Sequence, residues 1–221
     1  MKRHVMDDPI RPDWAHAALL TIDVQRDFTL PGAVAEIPGT MAAVPQIQRL
    51  VQAFRQQGKP VIHVVRLYLS DGSNAERCRR QAIAQGTPMV LAGSPGAELI
   101  NELKPSAQIT LDSQRLLTGG LQAIGPQEWI CYKPRWGAFY QTALERHLCE
   151  LAITTLLICG CNFPNCPRAT IYEASERDFR VVFVADATSG TYEQGLQELR
   201  NIGVTVMTTE ACLNCLLEQD R

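Results

Sequence analysis

The chain has 221 residues, with 21 lysines and arginines against 23 aspartates and glutamates, for a formal net charge of −2. That near balance argues against a nucleic acid or an anionic membrane surface as partner, and no apolar run approaches the roughly 20 residues that span a bilayer. The length suits one domain over residues 1–221; without a signal-peptide core at the N-terminus the expected location is cytoplasmic, with the eight cysteines reduced.

Ala17 to Asp23, AALLTID, reads as a largely apolar strand that ends on a carboxylate. The loop after it is punctuated by Pro31, Gly32, Pro38 and Gly39. Ile47, Leu50, Val51 and Phe54 then recur at helical spacing in a helix from about Ala43 to Gln57, which Gly58 ends. Val61 to Val65 is a second strand and delivers Arg66 into a loop. From 67 to 96 the pattern is irregular, with a turn over 70–74 and a short basic helix from Glu76 to Gln85. Such a segment in a regular α/β chain is expected to be a substrate lid or an oligomer contact. Ala97 to Leu103 suggests a short helix, and Leu111 to Ile124 has no clear period.

Gln127 to Lys133, QEWICYK, is a third strand and ends on a lysine. Trp136 and Gly137 lead into a helix expected over about Ala138 to Glu150, with Phe139, Leu144 and Leu148 inward. The apolar run Leu156 to Cys159, closed by Gly160, has the character of a strand buried on both faces. A helix follows from Pro167 to about Asp178, with proline tolerated at its start. Arg180 to Ala185 and Val204 to Met207 are the last two strands, each followed by a helix. Cys212-x-x-Cys215 falls in the closing helix and reads as core packing, because no second pair or nearby histidine completes a zinc set. Six strands alternating with six helices predict a three-layer αβα, Rossmann-like six-stranded parallel sheet.

In such sheets ligands sit beyond the carboxyl ends of the strands, where Asp23, Lys133 and Cys166 all fall. Cysteine is often only a small buried hydrophobe. At a helix start, however, the dipole is expected to lower the thiol pKa, and free backbone N–H groups would hold an oxyanion. Asp23 would take the thiol proton, Lys133 would hold Asp23 and steady the thiolate, and Cys166 would attack a carbonyl carbon. Acyl transfer is the chemistry expected of that set.

Three stretches carry a resemblance: LLTIDVQRDF around Asp23, CYKPRWGAFYQTAL around Lys133, and LLICGCNFPNCPRATIYEASERDFRVVFVADATSG around Cys166. From about Ala17 to Thr208 the chain resembles the isochorismatase-like cysteine hydrolases, which include nicotinamidases, N-carbamoylsarcosine amidase and related amidohydrolases. The resemblance implies an Asp23–Lys133–Cys166 catalytic triad. It also implies an oxyanion hole from the N–H groups of Asn162 and Cys166, with a non-proline cis peptide between Cys161 and Asn162. Phe163 and Pro167 stand where members commonly have threonine and valine, and Pro164 adds a second proline to the turn. RLYLSDGSNAE, after the second strand, lacks the Asp-x-His and further histidine of nicotinamidases, so no metal and no other cofactor are expected and nicotinamide is disfavoured.

The cysteine favours hydrolysis of a small amide, ureido or lactam C–N bond through a thioester. The alternatives are vinyl ether hydrolysis of the isochorismatase type and a non-catalytic member that only binds a small molecule. A homo-oligomer, dimer or tetramer, is expected from the same resemblance. Substrate contacts are expected from Gln25, Phe28, Arg135, Trp136 and Phe163, with Arg66, Tyr68 and Phe139 as further candidates. Arg135 is expected to present an exposed guanidinium beside Lys133 to a substrate carboxylate or carbonyl.

Overall fold

Strand β1 (Ala17–Ile22) is buried at every residue, as its apolar run demands of a central parallel strand. The computed structural model, which describes residues 8–218, places it in the middle of a sheet ordered β3-β4-β2-β1-β5-β6-β7. The others are β2 (Val61–Val65), β3 (Gln122–Gly125), β4 (Glu128–Tyr132), β5 (Thr155–Gly160), β6 (Arg180–Thr188) and β7 (Thr205–Met207).

The sheet has seven strands, not the expected six, and it is not wholly parallel, because β3 runs antiparallel to β4 at the edge. Strand β3 lies in the stretch 111–124 that showed no period. It is four residues long and none of them is fully buried, so neither an apolar run nor an alternation marks it.

Register carries the site. Ile22 aligns with Gly160 on one side and with Val64 on the other, and Val65 aligns with Tyr132. The next residues continue the ladder: Asp23 N–H donates to Val64 O (2.8 Å), Lys133 N–H to Val65 O (3.0 Å) and Cys161 N–H to Ile22 O (2.8 Å). Asp23, Lys133 and Cys161 are therefore one step beyond the carboxyl ends of β1, β4 and β5, three of four adjacent strands with β2 between β4 and β1. Gly160 is needed at this crossing: its φ is +118°, and a Cβ there would run into the Ile22 backbone. Lower in the sheet, Thr21 Oγ1 meets His63 Nδ1 (2.7 Å) and His63 Nε2 meets Glu128 Oε1 (2.7 Å). Arg55 closes that chain on Glu128 at 2.6 Å. Burial raises the Glu128 pKa, but Arg55 and His63 outweigh it and hold the group below its ordinary value.

One face is covered by α5 (Leu144–Glu150), α6 (Cys166–Ser175) and α7 (Glu193–Asn201), with Leu148, Ile171 and Leu199 packed on Leu20, Ile22, Val64 and Ile158. The other is covered by α2 (Thr40–Gln56) and α8 (Thr209–Glu218), with Ile47, Leu50, Phe54 and Leu216 on Leu19, Leu157 and Val184. Cys212 is fully buried in this layer and Cys215 packs against it, as expected of core residues. Short helices α1 (Arg26–Thr29) and α3 (Arg77–Ala84) come after the carboxyl ends of β1 and β2, and α4 (Ser113–Leu117) packs on β4. The helix expected over 138–150 begins only at Leu144. Side chains of α6 take the backbone of 138 and 139 first: Thr170 Oγ1 accepts from Ala138 N–H (3.2 Å) and Glu173 Oε2 from Phe139 N–H (2.8 Å). Among the described residues no helix is long and apolar enough to cross a membrane.

The irregular segment after β2 is part of the core. Leu67, Tyr68, Ala75, Ile83 and Val90 are buried with Phe28, Leu99 and Cys161 in a third apolar cluster above the strand ends.

Candidate active site

Asp23 is the first residue past β1 and takes a left-handed backbone with φ 53°, which aspartate tolerates better than most residues. Its Oδ2 is 2.8 Å from Lys133 Nζ, and both side chains are shut off from solvent. Lys133 Nζ also donates to Arg135 O at 3.3 Å. Asp23 Oδ1 has no hydrogen-bond partner among the described residues. The carboxyl faces the Cys166 thiol, the first residue of α6 and itself buried.

The thiol departs from expectation. Burial and then the Asp23 charge push its pKa up to about 11, against the smaller opposing pull of Lys133 and Arg66. A helix start lowers a thiol pKa only where water or a cation supports the thiolate; here desolvation and a facing carboxylate win. The resting form is the neutral thiol. Burial likewise raises Cys131 and Cys212 to about 12. Below pH ~8.5 these thiols are protonated whether the chain is folded or not. Above that, the unfolded chain sheds protons that the folded chain keeps, so stability is expected to fall by about 1.4 kcal/mol per pH unit for each such thiol. Urea unfolding under reducing conditions between pH 7.5 and 10 reads this directly; a midpoint that does not move would show that the thiols titrate normally.

The turn before α6 has its expected form. The Cys161–Asn162 peptide is cis. Phe163 N–H donates to Ser189 O (2.8 Å) and Asn165 N–H to Asn162 O (3.0 Å), whereas the N–H groups of Asn162 and Cys166 find no acceptor among the described residues. The Cys161 thiol donates to Asp23 O at 3.3 Å.

A tight pocket of about 10 Å³ lies over Cys166 and Asp23, and the expected residues Phe28 and Trp136 line it beside Asn162. Three other expected contacts do not reach it. Gln25 is fully buried as a clamp: its Nε2 donates to Arg66 O (2.8 Å) and Ala97 O (2.6 Å), and its Oε1 accepts from Arg66 N–H (2.7 Å). Arg135 is not an exposed guanidinium; it is half-buried and donates to the carbonyls of Pro134 (2.6 Å) and Asn74 (3.1 Å). Phe163 is fully buried between Phe183 and Tyr192, at ring distances of 5.0 and 5.4 Å. Its size belongs to the core beneath the turn.

Of the further candidates, Phe139 is core, and Arg66 and Tyr68 form a buried layer behind the pocket. Arg66 Nη1 lies 2.7 Å from Glu76 Oε1, and Tyr68 Oη donates to Glu76 Oε2 (2.6 Å). Burial lifts the Tyr68 pKa well above its ordinary value. Sequence reading missed four lining residues, Ile37, Arg79, Cys161 and Asn165. Glu76, just before α3, and Arg79 and Ile83 within it share one face by their spacing, but only the burial of Glu76 and Ile83 in the fold turns that face toward the pocket. Among the described residues no group of three or more His, Cys, Asp or Glu side chains is placed to hold a metal ion.

A largely parallel sheet with one antiparallel edge and its polar groups gathered beyond the carboxyl ends is the architecture of the isochorismatase-like class. The chain belongs to the isochorismatase family, whose domain matches residues 17–211. A protein of Arabidopsis thaliana named "Probable inactive nicotinamidase" is 32% identical over 201 residues, covering 88% of this chain and 93% of that one. A ureidoacrylate amidohydrolase of Methylorubrum extorquens is 28% identical over 207 residues, covering 88% and 79%. The crystal structure of an isochorismatase family protein from Desulfovibrio vulgaris superposes with a TM-score of 0.78 at 34% identity, covering 91% of this chain and 98% of that one.

Proposed function

We propose that this chain is a cysteine-dependent amidohydrolase that cleaves the C–N bond of a small amide, ureide or lactam through a thioester on Cys166. The observation that carries the reading is the division of labour at Asp23. One carboxylate oxygen is held by Lys133 at 2.8 Å, and the other is unpartnered beside a neutral thiol. As the sulfur attacks the carbonyl carbon, its proton passes to Asp23, so the thiolate never has to exist free in a dry site. The N–H groups of Asn162 and Cys166 receive the negative oxygen of the tetrahedral intermediate. Collapse breaks the C–N bond, and Asp23 returns the proton to the departing amine or ammonia. Asp23 then takes a proton from water as it attacks the thioester, which releases the acid and the thiol. Lys133 keeps the carboxylate oriented throughout.

The ureidoacrylate amidohydrolase among the relatives supports C–N cleavage. The Arabidopsis relative, by its name, favours a second reading in which the cleft binds without turnover. Ammonia release from N-carbamoylglycine, succinamate, butyramide and nicotinamide, with acid-quenched peptide mass mapping, separates the two. The expected result is release from at least one amide, with its acyl group on the Cys166 peptide. Ammonia release with Cys166 never acylated, or no release and no acylation, would overturn the proposal.

A further inference from the structure

Strand β4 ends at Tyr132, and the carbonyls of Lys133 and Arg135 just past it accept no backbone N–H among the described residues. Arg66, the first residue past β2, takes both. Its Nη1 donates to Lys133 O at 3.1 Å and its Nη2 to Arg135 O. The Arg135 carbonyl also accepts from Lys133 Nζ at 3.3 Å, so one oxygen joins the arginine fork to the ammonium that holds Asp23. Arg66 is itself fixed at both ends. Gln25 takes its backbone N–H and C=O, and Glu76 Oε1 lies 2.7 Å from Nη1 while Tyr68 holds the other carboxylate oxygen. Arg66 and Glu76 are 1% and 5% exposed, so the pair is a dry one. An unbroken line of contacts therefore runs from Glu76 through Arg66, Arg135 O and Lys133 to the carboxyl that faces the Cys166 thiol.

A buried ion pair is a poor source of stability, because desolvation cancels most of its attraction. What the planar fork supplies is direction: it grips two carbonyls two residues apart, which a single ammonium cannot reproduce. Lysine is a long, flexible chain, and a misplacement of about 1 Å at a reacting group can cost about 10²-fold in rate.

We propose that Arg66, locked by Glu76, is a positioning residue: it sets the 133–135 turn so that Lys133 holds one oxygen of Asp23 and leaves the other toward Cys166. The proposal rests on the hydrolase reading of the same site. It gives the segment after β2, where Glu76 lies, a part in the chemistry without any contact to substrate.

Arg66→Lys keeps the charge and loses the fork. It is expected to lower kcat by about 10²-fold on an amide that the wild-type chain hydrolyses, with KM unchanged within about threefold. Glu76→Gln, which keeps the shape and removes the locking charge, should lose about 10-fold in kcat, and it carries the comparison if Arg66→Lys does not fold. Arg55→Met is the control. It strips Glu128 of a 2.6 Å partner lower in the sheet, so its urea midpoint should fall while kcat holds. A readout free of turnover is the ¹⁵N-edited ammonium signal of Lys133, assigned by elimination with Lys59→Arg and Lys104→Arg. Burial and two acceptors should protect it from exchange in the wild-type chain and in Arg55→Met, and it should be lost in Arg66→Lys.

An unchanged kcat in both Arg66→Lys and Glu76→Gln, an equal loss in Arg55→Met, or a Lys133 signal that survives in both site variants would overturn the assignment. The hydrolase reading is scored separately, by acylation of Cys166 in the wild-type chain. Loss of the Lys133 signal without wild-type acylation sinks the chemistry and keeps the placement of Lys133; acylation with a surviving signal does the reverse.

Discussion

Cys166→Ala is expected to lower ammonia release by about 10³-fold or more while the protein stays folded, because a covalent route is lost and no neighbouring group replaces it. Cys161, the other thiol of the pocket, donates to the Asp23 carbonyl, and its pKa is held well above the ordinary range by burial. It cannot stand in. The fold should tolerate the change. The backbone of Cys166 keeps its bond from Thr170 Oγ1 (2.8 Å), and only a small side chain leaves the core, at a cost of about 1 kcal/mol. Parallel measurement of turnover and urea midpoint distinguishes a lost nucleophile from a lost fold. Residual turnover within ~10-fold of wild type would rule out the thioester and leave water attack or pure binding.

Lys133→Met should be the most destabilising single change at the site, by about 3–5 kcal/mol, because it strands a buried carboxylate. Asp23 Oδ1 faces only the Cys166 thiol, so removing Lys133 takes away the one ion-pair partner of the carboxylate. The Asp23→Asn, Lys133→Met double variant should recover part of that loss, since two neutral side chains need no counter-charge. It should still be inactive, because no base remains to take the thiol proton. Denaturant unfolding of the two singles and the double gives the coupling directly. A Lys133→Met protein as stable as wild type would mean that the pair is wetter than its burial implies.

The site was only partly legible in the chain. Asp23 and Lys133 could be picked out because each comes directly after a strand, where a residue has one place to go, and Cys166 because it opens the helix after the turn that follows β5. Gln25 and Arg135 misled for a shared reason. Both are polar groups beside strand ends, and sequence position does not say whether such a group faces a ligand or satisfies backbone carbonyls nearby. Phe163 stands three residues before the cysteine, yet its backbone is held by Ser189 and its ring lies under the turn.

Hydrophobic periodicity by itself determined the alternation of strands and helices, the burial of β1, β2 and β5, and the three polar residues delivered to the carboxyl edge, because those depend on local pattern and on desolvation along one strand. Tertiary structure decided the rest. The edge strand β3 exists only through its pairing with β4, and the late start of α5 follows from α6 side chains 32 and 34 residues away. The same holds for the thiol: its protonation depends first on burial and then on a carboxylate that the sheet register, not the helix it begins, brings against it. Arg79 enters the pocket because Ile83 and Glu76 anchor α3 above the strand ends, a placement that no spacing within the helix could specify.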